Sequence, residues 1–246
     1  MRVREILLAL LIVIIGAGGI HAQEKNLFLS KKNSFSFKAG YHIFNGSEYT
    51  DFWMINQRDY AGPAGEIAYE RELIKYLGLE IAVGFYRTNQ GYSYSNLAFV
   101  GDSASLNATI ANPYLSLSLK PHFPIGNYFQ LYCGAGADLY YTLADFSGSY
   151  LRGSSTVSFY DSDSNLSAGV HGMGGVEYLF LRTPNRSHEY DMPVSFFLEY
   201  RYSYVPVRDF DKKVIDHIRS ITGSSMNPHQ FDAGGHLAFF GLRWRF

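Results

Sequence analysis

From Ser34 to the last residue, this chain keeps returning to one pattern, with apolar side chains at every second position and small or polar ones between them. The cleanest instance sets Phe129, Leu131, Cys133, Ala135, Ala137, Leu139, Tyr141 and Leu143 against Gln130, Tyr132, Gly134, Gly136, Asp138 and Tyr140. A period of two belongs to a strand with two unlike faces, since a helix repeats every 3.6 residues. Beyond residue 22 no apolar run approaches the ~20 residues of a membrane helix, so any bilayer crossing must be made by strands.

The same alternation recurs in the other segments. Phe35, Phe37, Ala39, Tyr41 and Ile43 oppose Ser36, Lys38, Gly40 and His42, and Leu79, Ile81, Val83 and Phe85 oppose Glu80, Ala82, Gly84 and Tyr86. Leu115, Leu117 and Leu119 oppose Ser116, Ser118 and Lys120; Leu166, Val170, Val176 and Tyr178 oppose Ser167, His171 and Glu177. Val194, Phe196, Leu198 and Tyr200 oppose Ser195, Phe197, Glu199 and Arg201. The weakest strand, Gly65 to Leu73, puts Ile67, Tyr69, Arg71 and Leu73 on one face and Glu66, Glu70 and Glu72 on the other. A charge on the lipid side at the bilayer midplane costs about 2 to 4 kcal/mol, so the apolar face points outward in each strand. Arg71 lies near its strand end, where a long cation can snorkel to the headgroups.

The final segment has Ala238, Phe240, Leu242, Trp244 and Phe246 at alternate positions, with Gly241, Arg243 and Arg245 between them. It resembles the closing strand of Gram-negative outer-membrane β-barrels, in which such a segment is the assembly signal. The resemblance assigns that role here to Phe240, Leu242, Trp244 and Phe246. The whole pattern is similar to small barrels of the OmpA/OmpX type, with the outer-membrane protein W family as second choice. The expected fold is all-β: a closed antiparallel up-and-down transmembrane barrel of eight strands. Ten follow if Tyr92 to Val100 joins an additional hairpin.

At the other end, Arg2 and Arg4 precede an apolar run from Ile6 to Ile15, and Ile20, His21 and Ala22 follow. This reads as a secretory signal peptide over residues 1–22, cleaved after Ala22, leaving residues 23–246 as one barrel domain in the bacterial outer membrane. Removing Arg2, Arg4 and Glu5 takes the formal charge from −1 to −2, and without a basic cluster a nucleic-acid partner is not expected. Aromatic and charged residues are equal at 17% each, which fits a lipid-facing barrel better than a soluble one, whose outer face would carry ample charge. The expected partners are outer-membrane lipid and lipopolysaccharide, the barrel-assembly machinery, and an extracellular ligand whose nature the sequence does not give.

The inward charges gather near one end of the strands. Lys38, Lys120, Arg201, Arg243 and Arg245 balance Glu70, Glu72, Glu80, Glu177 and Glu199. An eight-stranded interior is just wide enough for side chains to fill it, and buried charges persist when paired, so a cross-lumen salt-bridge plug is expected, with Glu199 meeting Arg243. The plug is either polar core filling or a gate. Tyr86, Tyr140, Phe197 and Phe239 line the other half of the lumen.

Connections after the odd strands, about Asn45 to Pro63, Thr88 to Ala108, Asp145 to Asp163 and Val205 to Asp232, are long and outer; those after the even strands are short. The second and third outer loops hold Tyr92, Tyr94, Asn96, Tyr150 and Tyr160, and the fourth carries Val214, Ile215, Ile218 and Ile221 at the spacing of a short amphipathic helix. Asp138, Ser167 and His171 could share the lumen. Ser167 and His171, however, lie ~13 Å apart along one strand at ~3.3 Å per residue, too far for a hydrogen bond. No catalytic, metal or cofactor constellation is read, and no enzyme is expected. The expected role is envelope integrity or surface adhesion through the loops; the alternative, implied by the W-family likeness, is a conduit for small hydrophobic molecules.

Overall fold

The computed structural model of the chain describes residues 32–45, 61–95, 103–152, 155–181, 193–208, 216 and 230–246. The signal peptide and, apart from Asp216, the amphipathic segment around Ile218 lie outside the described residues, as does Asn96. The strands are β1 (Asn33–Phe44), β2 (Ala61–Ile74), β3 (Leu77–Ser95), β4 (Ser103–Ile125), β5 (Phe129–Arg152), β6 (Ser155–Leu181), β7 (Val194–Tyr204), β8 (Pro206–Arg208), β9 (Gln230–Asp232) and β10 (Gly235–Arg245).

Eight of these close a barrel in the order β1, β10, β7, β6, β5, β4, β3, β2, every neighbouring pair antiparallel. Closure comes from β1 against β10, with Phe35 opposite Trp244 and Tyr41 opposite Ala238. Since β3 runs unbroken through Tyr92 to Ser95 alongside β4, the barrel has eight strands, and the residues beyond Tyr86 add height, not an extra hairpin. The expected second and third outer loops are corrected in the same way. Much of Thr88 to Ala108 and of Asp145 to Asp163 is strand, with Tyr92, Tyr94, Tyr150 and Tyr160 in its ladders.

The outward face carries an apolar belt. Ile67, Ile81, Val83, Leu115, Leu117, Leu119, Leu139, Leu198 and Leu242 are all exposed, bordered by Tyr69, Phe129 and Tyr178 toward the short turns and by Tyr41, Tyr141, Tyr200 and Tyr202 toward the long strands. Aliphatic side chains flanked by aromatic girdles are the arrangement that lipid selects. Leu117 sits opposite Ala137 near the middle of this belt and is 48% exposed. Leu117→Arg is expected to destabilise the barrel by about 2 to 4 kcal/mol in lipid vesicles, measured by urea unfolding. An unchanged midpoint would mean that this face meets water.

Inward side chains at the level of the belt are buried, whereas near the top of β6 Ser155 and Val157 are exposed and Asp161, Asp163 and Asn165 half-buried. Two inward glycines make room for rings: a Cβ on Gly84 would overlap the Tyr114 ring, and one on Gly136 would fall 2.6 Å from His171 Cε1. At the opposite end from the turns, β8 and β9 pair as a short ribbon that is not part of the barrel ring, Val207 facing Phe231. Reading residues 205–232 as a plain loop misses this ribbon, whose strands are too short to show a period.

Candidate functional site

The lumen is filled in two layers. In the layer nearer the short turns, Lys38 Nζ sits among three carboxylates, 2.6 Å from Glu66, 3.0 Å from Glu80 and 2.9 Å from Glu199. Three carboxylates this close could hold a metal ion, but here the ammonium fills that place. Arg201 adds a two-pronged bond to Glu66, at 2.7 and 3.1 Å, and Tyr114 donates its hydroxyl to the same carboxylate at 2.7 Å. Fork-to-carboxylate geometry of this kind is among the stronger ionic contacts.

Below it, Lys120 reaches Glu80 at 2.7 Å, Arg243 reaches Glu177 at 2.8 Å, and Arg245 reaches Glu177 at 2.5 Å. His122 donates Nε2–H to Glu70 at 2.5 Å while Gln130 donates to its Nδ1, also at 2.5 Å. Aromatic faces complete the packing: Lys120 lies 4.4 Å from the centre of Tyr132, Arg243 5.0 Å from Phe197, and Arg201 5.8 Å from Phe239. A cation over a ring regains part of the solvation lost on burial.

Of the ten residues expected in the network, nine are brought together: Lys38, Glu70, Glu80, Lys120, Glu177, Glu199, Arg201, Arg243 and Arg245. Glu72 stands apart. The ladder between β2 and β3 shifts register between Glu72 and Ile74, and the Glu72 carboxylate accepts the Tyr76 amide at the exposed turn instead. Its place is taken by Glu66, three repeats of the pleat deeper into the barrel, whose inward parity is visible in the sequence but whose height is not. Nor does Glu199 meet Arg243, since the register sets Glu199 opposite Phe239 and Arg243 opposite Ser195. Glu199 is held instead by Lys38, by Arg201 at 3.4 Å and by the Tyr132 hydroxyl at 3.0 Å. The outward residues Phe240, Leu242 and Trp244 lie on β10 and Phe246 follows it, with its amide bonded to the Asn33 carbonyl at 2.9 Å.

The upper layer is apolar. Tyr86, Leu106, Ile110, Tyr114, Tyr140, Phe146 and Phe239 line the wall, and Phe44, Val205, Val207, Phe231, Ala233 and Leu237 close over them, each at most 4% exposed. His42 stacks on Tyr86 at 3.8 Å, and Tyr114 on Tyr140 at 5.0 Å. The ribbon is pinned by Asp232, whose carboxylate accepts the amides of Val205 (2.8 Å) and Gly234 (2.9 Å) and the Asn45 side-chain amide (2.6 Å). The Tyr86 hydroxyl and His42 Nε2 bond the carbonyls of Ala233 and Gly234.

Between the layers His171 and Asp138 do meet, at 2.9 Å, and the serine that joins them is Ser118 on β4, its hydroxyl 2.9 Å from His171 Nε2, not Ser167. Ser167 bonds Asn165. The order of contacts is that of a nucleophile, base and orienting acid, but His171 and Asp138 are fully covered and Ser118 is 1% exposed. Among the described residues, the backbone amides of the surrounding ladders are committed to neighbouring strands and not paired toward Ser118 as an oxyanion site would require. The arrangement links three strands through a buried ion-pair contact and one hydrogen bond, while the Asp138 carboxylate and His171 Nδ1 make no hydrogen bond of good geometry.

Residues 10–239 match the family model described as outer membrane protein beta-barrel domain. No match is found among curated proteins. Among solved structures the chain is similar to Neisserial surface protein A, at 17% identity and a TM-score of 0.42, over 87% of this chain and 96% of that one. It is also similar to Ail, the attachment invasion locus protein of Yersinia pestis, at 16% identity and a TM-score of 0.38, over 88% and 99%. The N-terminal β-barrel domain of Pseudomonas aeruginosa OprF follows at 13% identity and a TM-score of 0.36, over 88% and 98%.

Proposed function

Since this chain belongs to the outer membrane protein β-barrel domain family, and is therefore a protein of the outer membrane, we propose that it is a non-enzymatic barrel with a sealed lumen that presents a raised sheet for binding other surfaces. The observation that carries this reading is the inequality of its strands. The sequential run β3 to β6 has 19, 23, 24 and 27 residues, against 12 for β1, 14 for β2, 11 for β7 and 11 for β10. Crossing a bilayer takes only ~9 to 11 tilted residues, so the long strands stand well clear of the lipid.

The short turns and both ends of the described chain lie at the other rim, which faces the periplasm in such barrels, so the raised sheet faces outward from the cell. Ordering this much backbone beyond the membrane has an entropic cost that the barrel itself does not require. Its outward positions are rich in Ser, Thr and Asn, with Tyr160 the most exposed, a composition suited to adaptable polar contacts. On this reading lipid and lipopolysaccharide surround the belt, the assembly machinery inserts it, and neither cofactor nor nucleic acid takes part. A conduit for hydrophobic molecules would need a path through both filled layers.

The test replaces residues 149–158 by Asn-Gly, which joins the paired Gly148 and Phe159 through a two-residue hairpin turn. The shortened barrel is expected to fold and reach the surface as before, while attachment of the displaying cells to epithelial monolayers drops to that of cells without the protein. Undiminished attachment with normal surface yield would sink the adhesive reading.

A further inference from the structure

The outward face of the raised sheet is laid out in rows. Leu139, Tyr141 and Leu143 are exposed on the lipid side of β5, and Asp145, Ser147 and Ser149 continue the same parity above them. The registers set each of these three beside one residue of β4 and one of β6. Thr109, Asp145 and Ser162 form the first row, Asn107, Ser147 and Tyr160 the second, and Ser105, Ser149 and Ser158 the third. Strands lie ~4.8 Å apart and same-face residues ~6.6 Å apart along each, so the rows make a regular grid of hydroxyl, amide and carboxylate groups. No lysine, arginine or aliphatic side chain occurs in these three rows, and Asp145 is their one charge.

One aromatic ring stands in the grid. The same-face neighbours of Tyr160 on β5 and β6 are Ser147, Ser158 and Ser162, too short to cover it, and Tyr160 is 71% exposed. Its hydroxyl donates to Asp145 at 3.4 Å, which lays the side chain diagonally over the sheet. The other side-chain hydrogen bond described within the grid joins Ser105 and Ser149 at 3.0 Å. The Asn107 amide and the hydroxyls of Thr109, Ser147, Ser158 and Ser162 are left for a ligand. Resting on the surface-binding reading above, we propose that this face binds uncharged oligosaccharide chains, with one sugar ring stacked on Tyr160 and its hydroxyls bonded by the rows on either side. A pyranose is the complement of such a surface: its weakly positive C–H groups suit the negative face of an aromatic ring, and its rim consists of neutral donors and acceptors. A sulfated, phosphorylated or sialylated chain finds no cation in these rows and meets Asp145. A protein surface finds neither an apolar anchor nor a guanidinium fork to pair with its hot spots. A flat site holds a single sugar weakly, and many barrels on one cell facing a repeating chain multiply that affinity.

The experiment passes the full barrel in nanodiscs over an immobilised panel of neutral oligosaccharides built from hexose, N-acetylhexosamine and fucose, each beside its sulfated and sialylated forms. Wild type is expected to bind at least one neutral member more tightly than its charged forms, and equally well at high salt, since no ion pair is made. Tyr160→Ala is expected to weaken that binding about tenfold, while Tyr160→Phe, which keeps the ring, retains most of it. Position 160 is exposed, so both variants keep the fold, which heat-dependent gel mobility checks. Binding to charged chains alone, to no neutral member, or with indifference to Tyr160→Ala would overturn the proposal. Attachment that is lost on shortening the hairpin but untouched when the monolayers are stripped of glycans would point to a protein partner, overturning the proposal while the adhesive reading stands. Attachment that survives the shortening, which removes Ser149 and Ser158 from the third row, sinks the adhesive reading itself.

Discussion

Arg201→Ala is expected to lower the unfolding free energy of the barrel by about 3 to 5 kcal/mol, the cost of stranding a buried charge. The guanidinium is fully buried and makes a two-pronged bond to Glu66, with Glu199 3.4 Å away. Truncation leaves Lys38 as the only cation within ion-pair distance of Glu66 in the described network. Water does not screen the loss, since both side chains are inaccessible. Removing a balanced pair is a different matter. Arg201→Met together with Glu66→Gln leaves the net charge of the lumen unchanged and retains an acceptor for the Tyr114 hydroxyl, and is expected to recover most of the stability. Urea unfolding in vesicles, followed through Trp53 and Trp244, reads both variants. A loss below about 1 kcal/mol for the single substitution would mean that Arg201 is solvated and the lower layer is not a dry plug.

The refolded wild-type barrel is expected to be silent in a planar bilayer, and to stay silent when either layer alone is opened. Arg201→Ala with Glu66→Ala vacates part of the ionic layer, but Phe44, Val207 and Phe231 still close the lumen above it. Phe231→Ala with Phe44→Ala opens the apolar layer, and the Lys38 tripod still blocks the path below. Only the four substitutions together are expected to give steady conductance steps. Conductance in the wild type would remove the sealed-lumen reading and put transport in its place. Conductance in the ionic variant alone would make the charged layer the sole barrier and return it to the role of a gate.

The outward face of every barrel strand is readable from the chain because lipid enforces strict alternation there. One misplaced charge costs more than most surface changes, so Ile81, Leu117 and Phe240 declare their side by type alone. Above the bilayer nothing enforces that pattern, and residues 88–95, 145–152 and 155–163 resemble loops though the ladders simply continue through them. Glu66 and Glu72 share an inward parity, so composition cannot choose between them. The register shift between Glu72 and Ile74 leaves one at the rim and seats the other in the network. Ser118, Asp138 and His171 come from three strands, and a search along any single strand cannot assemble them.

What the chain determined by itself is the division into lipid-facing and lumen-facing residues and the near balance of charge inside, because a side chain's face follows from parity, a local property of the strand. Which carboxylate meets which cation was decided only when the barrel closed. Lys38 and Glu199 are separated by 161 positions and touch at 2.9 Å, and the registers of β1, β10 and β7 set that distance. Register depends on turns, bulges and the packing of every strand at once, so the contacts that seal this lumen belong to the ring as a whole.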